Sequence, residues 1–293
     1  MDDIEYVEHL KIAGVQMEPR LLEKEENLAR CLESIQIAAR EGARLIVFPE
    51  CALTGYVFHS LDEAMPAFEP VPGNSTEMIM AACRELNVYV VIGLLEVEID
   101  AYYNTAAFLG PWGVLARYRK LHLPHLGIDR FVNPGETPIE ICETELGRIG
   151  LGICYDIRFP EHARVMALQG ADILIYIANW PPPSAIYPEF ILPARVLENR
   201  VFCVAVDRVG EEEGVKFIGR SAIYHCGSGE PLAAAGGEEE EIIYAEITPA
   251  EARDKHIVFA PGKYEIDLDK DRRPELYGII GEHTPVDDDA VWE

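Results

Sequence analysis

Residues 10–17 alternate between apolar and polar positions, the two-residue period of a strand. Over residues 22–39 the period changes: Leu28, Leu32, Ile35 and Ala39 fall at helical spacing and predict an amphipathic helix. The short run 44–48 is largely apolar, as in a strand buried on both faces. A helix at 75–86 and strands at 88–95, 104–109 and 114–117 continue the pattern. A loop over 120–138 then leads to strands at 139–142 and 148–153. Beyond it come a helix at 161–169, a strand at 173–177, a helix at 189–199 and a strand at 201–206, with final strands at 217–224 and 241–247. Strands alternating with helices, with hairpin-like strand pairs between them, predict an α/β layered fold. No internal repeat or low-complexity linker interrupts the series. The reading is one domain over 1–261 and a charged, proline-punctuated tail over 262–293, either disordered or an arm against a partner subunit.

Composition narrows the partners. With 293 residues, 49% hydrophobic and 26% charged, the chain can bury a full core and has the balance of a soluble globular protein. Its longest apolar runs, such as 173–178, are too short to span a bilayer, and 1–14 lacks the basic start and apolar stretch of a signal peptide. A cytoplasmic location is the expectation. Seven cysteines without CxxC spacing read as reduced thiols, most of them small apolar core residues. A formal charge of −26 and no Lys/Arg cluster argue against nucleic acid or an anionic membrane as partner.

Three segments share one form, in which an apolar strand ends and a reactive side chain follows. In Leu45-Ile46-Val47-Phe48-Pro49-Glu50, a carboxylate sits at a strand mouth, where partial burial raises its pKa towards that of a useful base. Taken alone, Glu50 reads more readily as a solvated loop acid. In Tyr118-Arg119-Lys120-Leu121-His122-Leu123-Pro124, the Lys120 ammonium can hold an oxyanion with three donors, though a lone lysine is usually a surface residue. His122 and His125 form an HxxH pair too sparse to indicate a metal. In Gly150-Leu151-Gly152-Ile153-Cys154-Tyr155-Asp156, a glycine-containing strand runs into Cys154, and a helix follows near Pro160. That order has the logic of a nucleophile elbow. A thiol needs a base, and a tetrahedral intermediate needs a positive donor. The three segments together supply both.

These signatures, Phe48-Pro49-Glu50 with Leu53-Thr54-Gly55-Tyr56, Tyr118-Arg119-Lys120-Leu121-His122-Leu123 and Gly152-Ile153-Cys154-Tyr155-Asp156, resemble those of the nitrilase superfamily of carbon–nitrogen hydrolases. The resemblance covers roughly residues 11–247 and includes Tyr103-Asn104-Thr105 and the run Ala194-Arg195-Val196-Leu197-Glu198-Asn199. It implies a four-layer α-β-β-α sandwich, a homodimer or higher homo-oligomer, and an interface role for the tail. It also implies Glu50 as general base and acid, Cys154 as nucleophile, Lys120 as the stabilising cation and the Tyr155 backbone N–H as an oxyanion donor. No metal or organic cofactor is implied.

Cys154-Tyr155-Asp156 resembles the amidase branches more than nitrilases, and Ala178-Asn179-Trp180-Pro181 resembles omega-amidases. Tyr56, Asn179 and Trp180 then become candidate substrate contacts, although Asn179 capping a turn and Trp180 packing the core fit equally. Two departures stand out. Family members often carry a second glutamate after the lysine, whereas here Asp129 is the only carboxylate in 123–133. In omega-amidases a His-Trp pair precedes the Ala-Arg run, and this chain has Tyr187-Pro188. The neighbouring Glu189 could meet a substrate amine or simply favour a helix dipole. The expected activity is hydrolysis of a small amide through a cysteine thioester, releasing ammonia or an amine. Alternatives are an N-carbamoyl amine hydrolase, a nitrile hydrolase (disfavoured by Tyr155-Asp156) and, from a different class, a catalytically silent binding or assembly module.

Overall fold

In the computed structural model, residues 4–282 are described. Two six-stranded sheets carry the architecture. The first half contains β1 (Leu10–Gln16), α1 (Lys24–Arg40), β2 (Leu45–Val47), a single turn α2 (Leu61–Ala64), α3 (Asn74–Leu86), β3 (Tyr89–Glu98), β4 (Ala101–Gly110) and β5 (Gly113–Arg119). The second half contains β6 (Ile141–Thr144), β7 (Gly147–Ile153), α4 (Pro160–Leu168), β8 (Ile173–Ala178), α5 (Leu192–Asn199) and β9 (Phe202–Asp207). There follow the two-residue strands β10 (Glu211–Glu212) and β11 (Val215–Lys216), then β12 (Ala222–Tyr224), β13 (Pro231–Ala234) and β14 (Glu241–Ile247).

One sheet runs β14-β1-β2-β3-β4-β5 and the other β13-β12-β9-β8-β7-β6. Each has three central parallel strands, β1, β2, β3 and β7, β8, β9, flanked by antiparallel ones. Strands buried on both faces need continuous apolar sequence, which is why β8 reads Ile-Leu-Ile-Tyr-Ile-Ala and is buried at all positions. Between the sheets, Ile12, Val47, Val91 and Phe108 meet Ile153, Ile177, Val204 and Val206 in one core. Helices α1 and α3 close the outer face of the first sheet with Leu28, Cys31, Ile35, Ile79 and Cys83. Met166 of α4 and Leu192 and Val196 of α5 pack on the second. The result is the four-layer α-β-β-α sandwich.

Several expectations shift. The helix anticipated over 189–199 is α5 preceded by a π turn, Tyr187–Ile191. Pro193 has no N–H to donate to the carbonyl four residues earlier, so an α ladder cannot pass through it unbroken. The strand expected over 217–224 shrinks to β12, preceded by the β10–β11 hairpin, and β13 escaped the sequence reading altogether. The chain divides into two compact units between Asp254 and Lys255, earlier than position 261. In the second unit, β15 (His256–Ala260) and β16 (Tyr264–Asp267) form an antiparallel hairpin, so the tail is locally ordered there. Its exposed apolar side chains include Phe259, Tyr264, Leu276, Ile279 and Ile280.

Candidate active site

Glu50 stands just beyond β2, Lys120 just beyond β5 and Cys154 just beyond β7, so all three occupy strand ends. Glu50 and Lys120 are wholly buried and Cys154 nearly so. The turn carrying Glu50 rests on β3 at Gly93, where a Cβ would lie 2.6 Å from the Glu50 Cα and 2.4 Å from the Cys51 nitrogen. Only glycine lets the backbones approach this closely. Cys154 has φ +48°, in the left-handed region uncommon for a residue with a Cβ, and a 3₁₀ turn (Cys154–Arg158) leads from it into α4. The preceding strand is glycine-rich because α4 packs against it. A Cβ on Gly152 would meet Tyr176 at 2.4 Å and His162 at 2.8 Å.

The lysine ammonium is shared. Lys120 Nζ donates to Glu50 Oε1 at 2.7 Å and to Asp129 Oδ2 at 2.5 Å. Asn104, on β4, uses its Nδ2 to donate to Glu50 Oε1 at 2.6 Å and to Asp129 Oδ1 at 2.9 Å. The Tyr56 hydroxyl donates to Asp129 Oδ2 at 2.8 Å. Asp129 therefore enters the same array as Glu50 and Lys120. Two donors hold Glu50 Oε1, while Oε2 is buried with no partner among the described residues. This leaves one carboxylate oxygen fixed and the other open to accept a proton.

The electrostatics match that division. Burial raises the Glu50 pKa, against the pull of Lys120 and with help from Asp129. The Lys120 pKa would fall on burial, but Asp129, Glu50 and Cys154 outweigh that and raise it well above the ordinary value, keeping a cation in place. Burial, then the charge of Glu50, pushes the Cys154 thiol well up, while Lys120 and the Asn179 backbone N–H draw it down. A resting thiol results.

The other predicted residues fall into two groups. Tyr155 lies in the turn immediately after Cys154, with its ring edge-on to Phe159 at 5.2 Å. Asn179 is buried with neither amide atom partnered, and the fully buried Trp180 leaves its indole N–H unpaired, among the described residues. Glu189 is not part of the buried array: half exposed, it is paired with Arg220 at 2.6 Å. That ion pair answers its charge within the chain. Tyr56 is buried beneath Asp129, where it buttresses the acid.

Four neighbours went unassigned in the sequence reading. Asn104 bridges both acids; the sequence marked it only as part of Tyr103-Asn104-Thr105, without a role. Tyr187 packs edge-on against Trp180 at 5.6 Å, close enough for the Cys154 charge to raise its pKa, though burial is the larger cause. Asp207 ends β9, accepts the Trp180 backbone N–H at 2.8 Å and, among the described residues, keeps Oδ2 unpartnered. Asp156 accepts the Ile153 N–H behind the elbow. No signal in the sequence marks Asp207.

Fold and site together define a hydrolase of the nitrilase superfamily. Residues 11–256 match the family described as Carbon-nitrogen hydrolase, and the chain belongs to it, as an enzyme of amidase type. It is 39% identical over 269 residues to a protein named nitrilase from Pyrococcus abyssi, covering 92% of this chain and 99% of that one. An omega-amidase from Bos taurus is 31% identical over 279 residues, with 89% of this chain and 98% of that one covered. Among solved structures, a mutant amidase from Nesterenkonia sp. AN1 aligns with TM-score 0.75 and 25% identity, covering 92% and 96% of the two chains. That structure shows covalent addition of the acetamide moiety of fluoroacetamide at its active-site cysteine. Among the described residues, no helix is long and apolar enough to cross a membrane.

Proposed function

We propose that the chain hydrolyses a small linear amide through a thioester on Cys154. The supporting observation is the buried array in which Lys120 and Asn104 hold one oxygen of Glu50 and leave the other without a partner among the described residues, while the charge of Glu50 acts on the Cys154 thiol. As Cys154 Sγ attacks the amide carbon, its proton passes to Glu50 Oε2. The new oxyanion faces the Lys120 ammonium and the Tyr155 backbone N–H. Glu50 returns the proton to the nitrogen as the C–N bond breaks, and ammonia or an amine leaves. Water then attacks the thioester, again giving a proton to Glu50, and the carboxylic acid departs as Glu50 reprotonates the sulfur. Asp129 holds Lys120 by a hydrogen bond from Nζ and takes the place of a second acid. Asn179, Trp180, Tyr187 and Asp207 offer contacts to the acyl group.

Nitrile hydrolysis is the second reading, favoured by the 39% identity to a protein named nitrilase. The same thiol, base and cation would serve it. The second unit is an arm of a homo-oligomer in this proposal, its exposed Phe259, Ile279 and Ile280 meeting another copy.

Ammonia release across simple amides, omega-amides of dicarboxylic acids, carbamoyl amines and nitriles tests the reading, with Cys154→Ala as the blank. Release from an amide that vanishes in the variant supports it. Activity confined to nitriles would replace it with the second reading, and carbon dioxide from carbamoyl substrates alone would make the enzyme a carbamoyl hydrolase. Turnover surviving in Cys154→Ala would sink the thioester.

A further inference from the structure

The reacting groups are divided between two sheets. Glu50 and Lys120 extend from the first, Cys154 from the second. Side-chain packing between sheets is not directional, so something more specific must set the offset of sulfur from ammonium to within a fraction of an ångström.

Asp156 occupies that position. It is fully buried, two residues past Cys154. From its own sheet it accepts the Ile153 N–H on Oδ2 at 2.9 Å. From the other side it accepts, on Oδ1, the backbone N–H of His122 at 3.1 Å and His122 Nδ1 at 2.7 Å. The Tyr118 hydroxyl, from the last turn of β5, donates to Oδ2 at 2.8 Å. Tyr118 and His122 flank Lys120 at two residues on either side. Both sides of the lysine are thus tied to one carboxylate on the nucleophile's turn.

A hydrogen-bond chain fixes the polarity. Burial opposes ionisation of Asp156, but the His122 hydrogen bond, the Ile153 N–H and the charge of Lys120 hold its pKa below the usual carboxylate value, so it is an acceptor. Tyr118 must then donate to it and accept from His162 Nε2 at 2.8 Å, and His162 Nδ1 accepts from the Tyr176 hydroxyl at 3.0 Å. Burial lowers the His162 pKa and keeps that ring neutral, as this order of donors requires. Phe159 stacks on the His122 ring at 3.7 Å and holds its plane.

We infer that Asp156 and His122 form a cross-sheet clasp that positions Lys120 against Cys154, acting on the reaction through those two residues without touching substrate. This rests on the thioester reading for its kinetic test but not for its chemical one. In full-length protein, His122→Leu removes the Nδ1 donor, whereas His122→Asn restores an N–H donor at the Nδ1 position. His122→Leu and Asp156→Asn should each lower kcat about tenfold to a hundredfold, with KM changed by less than about threefold and an unchanged melting temperature in His122→Leu. His122→Asn should recover to within about threefold of the parent. A His122→Leu enzyme with full kcat, or an asparagine variant as poor as the leucine one, would overturn the clasp. If the parent turns over no amide, the thioester reading fails by itself, and the rate of Cys154 alkylation by iodoacetamide decides the clasp. With Lys120 displaced, the thiol loses the cation that draws its pKa down, so alkylation at fixed pH should slow in His122→Leu and recover in His122→Asn. Equal rates in all three would refute the inference.

Discussion

Asp207 illustrates the cost of a buried acid. Burial drives its pKa well above the ordinary carboxylate value, against backbone N–H donors from Trp180 and Arg208. The folded chain therefore prefers the protonated form, and stability from this group is present at low pH and lost as pH rises towards the raised pKa. Between the unfolded and folded values the loss is about 1.4 kcal/mol for each pH unit. Asp207→Asn keeps an acceptor for Trp180 without that cost. Its melting temperature should match the parent at pH 4 and exceed it by a margin that grows as pH rises towards the raised pKa; a constant difference would show that the shift is not the cause. Glu50 has the same sign for a different purpose. Its raised pKa should place the acid limb of kcat/KM above the ordinary glutamate value of about 4.3, and Glu50→Gln should cost about 10²–10⁴ in rate. An acid limb at or below 4.3 would contradict a desolvated base. At this scale the sequence pointed to Glu50, Lys120 and Cys154 because each follows a strand, apolar before Glu50 and Cys154 and mixed before Lys120. Asp129 was visible only as the lone acid in a loop. Asp156 and His122 were within the quoted motifs, yet their pairing depends on a register between sheets that no local pattern encodes.

Elements were legible where burial is one-sided or complete. The face of Leu28 and Ile35 on α1 and the unbroken apolar run of β8 leave little choice of period. Short elements were not. β10, β11 and β13 are two to four residues long, too few for a period to emerge. The π turn before α5 comes from Pro193, whose effect falls on the carbonyl four residues earlier. Gly93 shows how an element can govern chemistry without a functional group. Gly93→Ala would drive a methyl into the turn of Glu50, where the nearest backbone atoms leave 2.4–2.6 Å. The expected result is a drop in kcat of about tenfold or more as Glu50 moves off Lys120, read by steady-state kinetics beside a melting curve. Unaltered kcat would mean that β3 yields in place of the turn.

For the whole molecule, the paired sheets followed from the family resemblance and not from periodicity, since strand runs do not say which sheet they join. The tail was read as charged and proline-punctuated, a composition that conceals the apolar positions of the β15–β16 hairpin. If the exposed apolar side chains of the second unit, in the hairpin and beyond it, meet another copy, Phe259→Ser with Ile280→Ser should lower the mass found by sedimentation equilibrium. An unchanged mass would remove the arm from the assembly.

With Glu50 as base and Cys154 as nucleophile, as proposed, their distribution over two sheets also dictates how the enzyme fails. A slip of one sheet past the other by about an ångström separates Cys154 from Lys120 and Glu50 while each sheet keeps its ladder of hydrogen bonds. Dilute urea should therefore silence the enzyme before it melts the strands: activity should fall at concentrations where the far-ultraviolet circular dichroism is still native. Loss of function would then be a movement between layers, and recovery on dilution should be as fast as re-docking, with no chain to refold.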